Sequence, residues 1–203
     1  MITFKLILDS IFSPKVAFQR IVNFEIKLSV LVEATIFIAL VNAIFSYISN
    51  YLLYSNNVDE ENLFFFYYEN VLSKPLLLFF LEVFKILLIT TVITYTGRLF
   101  GGKGSFINLL KSVVWIHFIL IFINFLLFVS IYLSINVSGY LIMLANIWII
   151  WVLSECAARA HGFKSTFLVF VFGLIILIVI MALILQLLNS NDIIFLERVS
   201  SNA

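Results

Sequence analysis

Apolar runs of about twenty residues or more alternate with short polar breaks along this chain, and that alternation sets the expected elements. The runs cover residues 28–53, 76–99, 107–134, 138–158 and 167–188. Each is long enough, at ~1.5 Å per residue, to cross or nearly cross a hydrocarbon core of about 30 Å. Residues 1–27 follow another pattern: Phe4, Leu6, Ile7, Ile11, Phe12, Val16, Phe18, Ile21, Val22 and Phe24 interleave with Lys5, Lys15, Arg20 and Lys27. This interleaving predicts short amphipathic helices, with Ser13 and Pro14 marking a helix start, since Pro is tolerated in a first turn. Two placements fit them equally: flat in the membrane interface, or packed in the cytosol against the rest of the protein. The break at 54–75 is acidic, with Asp59, Glu60, Glu61 and Glu69 against Lys74, and 189–203 reads as a polar tail. The pattern therefore predicts an all-α polytopic membrane protein, a five-helix transmembrane bundle preceded by short amphipathic helices.

Composition removes the soluble alternatives. The 203 residues are 64% hydrophobic and 11% charged, with a mean hydropathy of +1.18, where soluble domains are roughly 45–50% apolar and about 25% charged. A formal net charge of +1 argues against a nucleic-acid binder, which needs a clustered basic surface. The position of charge says more than its sum. Lys5, Lys15, Arg20, Lys27, Arg98, Lys103, Lys111, Arg159 and Lys164 fall on one set of flanks, while only Lys74 and Arg198 fall on the other. Basic residues are retained on the cytoplasmic side, so the N-terminus is expected in the cytosol and the C-terminus outside, in a bacterial inner membrane. Tyr51, Tyr54, Tyr67, Tyr68, Tyr132 and Tyr140 lie near the outer boundary so defined, whereas Trp115, Trp148 and Trp151 are too deep or scattered to mark an interface. Lys5, Asp9 and Pro14 interrupt the first apolar stretch, so no signal peptide is expected and the chain is read as unprocessed. The single cysteine, Cys156, allows no intramolecular disulfide and reads as a small apolar packer.

Candidate chemistry is sparse. Residues 97–104, Gly97-Arg-Leu-Phe-Gly-Gly-Lys-Gly104, match Gly-x-x-x-x-Gly-Lys, but Gly104 stands where a phosphate loop needs Ser or Thr, and a membrane helix precedes it instead of a core strand. Nucleotide binding is set aside, and the segment reads as a tight cytosolic reversal in which Gly97 ends one helix and Gly101, Gly102 and Gly104 let the chain turn. Helix rise sorts the intramembrane polar residues into two layers. A central one holds Asn42, Glu82, Lys85, His117 and Asn146; an inner one holds Glu33, Lys111 and Glu155, with Arg159 just beyond. A membrane charge costs about 2.5–3.5 kcal/mol on insertion scales, so these groups are expected to face one another. Lys111 is expected to meet both Glu33 and Glu155. Glu82, Lys85 and His117 could line a proton or solute pathway, but a Glu82–Lys85 pair with His117 and the asparagines as interhelical bonding partners is favoured, because no broken helices or repeats are visible. Cys156 and His161, five apart, are read as near each other by accident. No catalytic set, metal-ligand spacing or cofactor site emerges.

Three segments carry a family resemblance: Phe12-Ser-Pro-Lys-Val-Ala-Phe18, Gly101-Gly-Lys-Gly-Ser-Phe106 at the start of the third span, and Trp151-Val-Leu-Ser-Glu-Cys-Ala-Ala-Arg-Ala-His-Gly-Phe163 before the last. With their order among five spans, they resemble a bacterial member of the Yip1 family. The resemblance implies a five-span bundle with a cytosolic N-terminus. In eukaryotic relatives it also implies vesicle traffic through prenylated Rab GTPases, but the Asp-Leu-Tyr-Gly-Pro signature of those relatives is missing here, so that role is not carried over. The expected function is a non-enzymatic membrane scaffold or partner-binding protein, with the bilayer and a membrane-protein partner or second copy as its contacts; the alternative is a small transporter or permeation subunit. On the topology above, cysteines introduced at Asn57 and Ser200 should react with an impermeant maleimide from outside and one at Ser105 should not. Reaction at Ser105 alone would invert the orientation.

Overall fold

The computed structural model describes residues 2–57, 71–133 and 135–201. The acidic stretch holding Asp59, Glu60, Glu61 and Glu69, with Tyr67 and Tyr68, lies outside them. Among the described residues there are seven α-helices and no strand: α1 (Ile2–Phe12), α2 (Pro14–Asn23), α3 (Leu28–Asn57), α4 (Pro75–Leu99), α5 (Phe106–Leu133), α6 (Ile135–His161) and α7 (Thr166–Ser201). Helices α3 to α7 each contain a stretch long and apolar enough to cross a membrane. The expected all-α architecture with five long apolar helices is the observed one.

Helix α5 is the axis of the bundle. It packs against α2, α3, α4 and α6, and from Leu109 to Ile119 its buried residues Leu109, Leu110, Val113, Val114, Ile116 and Ile119 cover more than half of its circumference, wider than the single stripe of a surface helix. Two apolar clusters share it. In one, Leu110, Val113 and Val114 meet Leu31, Ile38 and Ala39 of α3 and Ile86 of α4. In the other, Leu109 and Ile116 meet Phe18 and Ile21 of α2 and Val152 and Cys156 of α6. Cys156 is the core packer expected of it.

Opposite faces carry large exposed apolar groups, among them Phe37, Phe80, Phe84 and Leu126. Surfaces of that kind suit lipid, where burial in protein gains no hydrophobic free energy. Hydroxyls within the spans are satisfied on their own helices: Thr35, Thr90, Thr94 and Ser154 each donate to the carbonyl four residues earlier at 2.7–2.8 Å, so they pack into apolar interfaces without an unpaired donor.

The N-terminal helices pack on the protein, as in the second of the two placements left open by the sequence, but they do so beside the spans and not in the cytosol. Ala17, Phe18 and Ile21 of α2 are buried. The Trp115 indole N–H donates to Ser10 Oγ at 2.9 Å and that of Trp148 reaches Ile11 O at 3.5 Å. Because Trp148 lies thirteen residues before His161, the α1–α2 junction stands about 20 Å up α6, and the hairpin runs beside the bundle instead of lying flat beneath it. The two tryptophans, unhelpful as interface markers, are its anchors. At the other end of α2, Lys111 Nζ donates to Val22 O and Phe24 O, both at 2.8 Å. These carbonyls close the C-terminus of α2, where a cation also complements the helix dipole. Lys111 therefore ties α5 to α2 and does not bridge Glu33 and Glu155. Unpaired carbonyls at a helix end offer it what a distant carboxylate cannot. Replacing Lys111 by Leu should cost about 1.5–3 kcal/mol, the range for hydrogen bonds from a charged donor, whereas exposed Lys103→Leu should stay within about 0.5 kcal/mol; equal thermal melts in detergent would remove this role.

Candidate functional site

The densest polar geometry lies where α4 and α6 end side by side. Both close with a left-handed glycine, Gly101 at φ 79° and Gly162 at φ 76°. After α4, Gly102 N donates to Gly97 O at 2.9 Å and Gly101 N to Arg98 O at 3.0 Å; after α6, Phe163 N donates to Ala158 O at 2.9 Å. These six-to-one and five-to-two bonds satisfy the terminal carbonyls in the manner of a Schellman turn. Gly97 does not end α4, as the sequence reading had it; it sits inside the last turns, and Gly101 takes the left-handed position.

The reason for glycine at 97 is His161. Its imidazole lies buried against the backbone of Gly97, Gly102 and Gly104, and a Cβ at any of the three would overlap the ring. Both ring nitrogens are engaged. Gly104 N donates to Nδ1 at 3.0 Å, and Nε2 stands 3.1 Å from Ile93 O. A backbone amide only donates and a carbonyl only accepts, so the ring is held neutral with its proton on Nε2. Lys103 N donates to His161 O at 3.2 Å, and Phe163 stacks on the imidazole at 5.5 Å. One side chain thus fills the glycine turn and binds α4, its reversal and α6 together. Both ring nitrogens being taken by Gly104 and Ile93, and Cys156 lying in the core with α2 and α5, the two do not form a thiol–imidazole pair.

The central layer is only partly assembled. Asn42 and His117 are both buried. Asn42 Nδ2 donates to Ile38 O at 3.1 Å and to His117 O at 3.4 Å, and Asn124 Nδ2 donates to Asn42 Oδ1 at 3.4 Å. His117 Nδ1 donates to Val113 O at 2.9 Å. Glu82 and Lys85 pair on α4, Nζ to Oε2 at 2.6 Å, with the lysine side chain 48% exposed and the glutamate 13%. Asn146 does not join this group: it is exposed and donates to Ile142 O on its own helix at 2.9 Å. Asn124 was missed, although it follows His117 by seven residues, two turns on the same face.

The inner layer separates into independent contacts. Glu155 pairs with Arg159 one turn on, Nε to Oε1 at 2.9 Å, and Arg159 also donates to Thr166 Oγ1 at 3.2 Å. Glu33 is exposed on α3. Matched depth did not bring these groups together, because their helices face them in different directions. Among the described residues, no group of three His, Cys, Asp or Glu is placed to hold a metal ion.

A family model, the Yip1 domain, matches residues 8–187. The chain belongs to the Yip1 family. No curated protein and no solved structure matches it. The matched region runs from within α1 into α7, so this Yip1 protein's α1–α2 junction, glycine turn, His161 and both polar layers all lie within the family domain. Gly97→Ala, which puts a methyl onto the imidazole, should lower stability by about 1–3 kcal/mol as overpacking does. Gly139→Ala, which meets nothing within 4 Å, should be neutral or stabilising by up to about 1 kcal/mol. Equal melting temperatures for the two variants would show that the ring does not need the glycine.

Proposed function

We propose that this integral membrane protein is a non-enzymatic scaffold of the cytoplasmic membrane, N-terminus in the cytosol, that binds another membrane protein through the outer face of α4. One observation carries the reading: the Glu82–Lys85 pair. Counted from Pro75, its members are the eighth and eleventh of the 25 residues of α4, near the middle of the span, yet the lysine is half-exposed among the outward-facing Leu81, Phe84 and Leu88. Ionised groups at that depth face protein or water, because lipid charges about 2.5–3.5 kcal/mol for each. A partner helix laid on this face would cover the pair and give the lysine further acceptors. The interior supports the same reading, since Asn42 and Asn124 spend hydrogen bonds tying α3 to α5 and the His117 ring bonds to Val113 O on its own helix.

The test uses Phe84→Cys, cross-linked in native membranes. A cross-linked species is expected, and Glu82→Gln with Lys85→Met should abolish it while leaving the fold's thermal stability nearly unchanged, since replacing both members of an ion pair by apolar or neutral groups is often neutral. Each single replacement should be less stable than the double, having left one charge uncompensated. Solute or proton flux in proteoliposomes that disappears with Lys85→Met or His117→Ala would replace the scaffold reading by permeation.

A further inference from the structure

Helix α7 is the loosest member of the bundle. It packs on α6, with Trp151 against Phe170 at 5.7 Å, and touches the α4 turn through Phe100 against Phe172 at 5.2 Å; none of its described side chains is buried. Between α4 and α7, floored by α6, this leaves a groove of about 710 Å³, inside the range of roughly 300–1,000 Å³ typical of sites for small molecules. Leu88 and Val92 form one wall, Phe172 and Ile176 the other, and Leu153 the floor. The hydroxyls along it are spent elsewhere: Thr96 Oγ1 donates to Val92 O at 2.6 Å, Ser154 Oγ to Ile150 O at 2.8 Å, and Ser165 Oγ accepts from Leu168 N at 3.3 Å. The walls therefore present carbon.

One end differs. There the groove is closed by Phe163, Lys164 and Ser165, and Lys164 is exposed. The two turns that meet at this end, residues 97–105 and 159–165, contain Arg98, Lys103, Arg159 and Lys164 and no acidic residue; Glu155 offsets only Arg159. The N-terminus of α7 begins beside them at Thr166, adding the positive end of its dipole. An apolar slot open to the side, with cations at the level where headgroups lie, has the polarity of an anionic phospholipid, and basic pockets between membrane helices bind such headgroups. A partner helix is the poorer occupant, because the groove's cations gather at one end while along its length the hydroxyls of Thr96 and Ser154 are already spent, leaving a partner little to pair with.

We propose that this groove holds an anionic glycerophospholipid of the surrounding leaflet, an acyl chain lying between α4 and α7 and the phosphate at Lys164. Gly173, on the groove wall, gives a clean way to fill it, since a Cβ there meets nothing within 4 Å and a larger side chain improves helix propensity. The full chain in detergent is mixed with equal dioleoyl phosphatidylglycerol and dioleoyl phosphatidylcholine and read by native mass spectrometry. Wild type should retain phosphatidylglycerol about fivefold over phosphatidylcholine, a preference of the size one basic residue supplies. Lys164→Gln should keep a bound lipid but lose the preference. Gly173→Leu, with unchanged helicity and melting temperature, should lose both lipids. Wild-type retention of the two lipids in equal amounts, or undiminished retention by a folded Gly173→Leu, would overturn the site; a two-chain species dissolved by Gly173→Leu would assign the groove to a second copy instead.

Discussion

A neutral imidazole pressed against three glycines holds one end of this bundle together, and most of what surrounds it follows from that contact. His161 accepts from Gly104 N and donates to Ile93 O, so the ring is cross-braced between the penultimate turn of α4 and the segment that starts α5. The geometry is demanding on both sides. Any side chain at Gly97, Gly102 or Gly104 would occupy the ring's volume, and any ring other than imidazole would leave a buried amide or carbonyl unpaired, at about 1–3 kcal/mol each. In a membrane bundle, where apolar packing alone gains little over lipid, a contact that combines shape with two oriented hydrogen bonds fixes helix ends more firmly than further leucines could.

The same economy governs the charges. Lys111 spends its donors on the carbonyls of α2, and Arg159 bridges Glu155 to the first residue of α7. These two cations secure a helix terminus and a neighbouring turn, and for Lys111 the carbonyls and the helix dipole supply counter-charge without a second ionised group. Glu82 and Lys85 are the exception. They satisfy each other within one helix and leave the lysine half-exposed, which makes α4 the span whose outer face is least reconciled with lipid.

The sequence disclosed the architecture well because the signal behind it is additive: five apolar runs, each about the thickness of a bilayer, survive any local error. It disclosed depth, too, but depth alone does not decide contact. Glu33, Lys111 and Glu155 share a level, yet contact also depends on the angle at which each side chain leaves its helix and on which helices are neighbours, and neither is set by position along a span. Asn124 was readable as a companion of His117 from their spacing, while Asn146, with no neighbour of that kind on its helix, was not distinguishable from them. His161 was hidden for a different reason. Its partners are backbone groups and absent side chains, and an apolar-to-polar pattern registers neither. The density of glycine at 97–104 was read as freedom to turn, whereas only Gly101 there has the left-handed backbone; Gly97, Gly102 and Gly104 are small because something large sits on them.

That distinction changes how the two halves of the molecule relate. A turn rich in glycine for flexibility would let α4 and α6 drift apart, and the space between α4 and α7 would have no defined mouth. A turn filled by His161 holds α4 and α6 in register, and Phe163 and Lys164, the residues just past the imidazole, are placed at the end of the groove by the same Gly162 that closes α6. Helix α7 then leans on this fixed corner through its first turns, and none of its described side chains is buried. The bundle is thus rigid where it meets the basic turns and permissive along α7, an arrangement in which a chain-like ligand can enter from the side while the charge that selects its headgroup stays where the latch has put it.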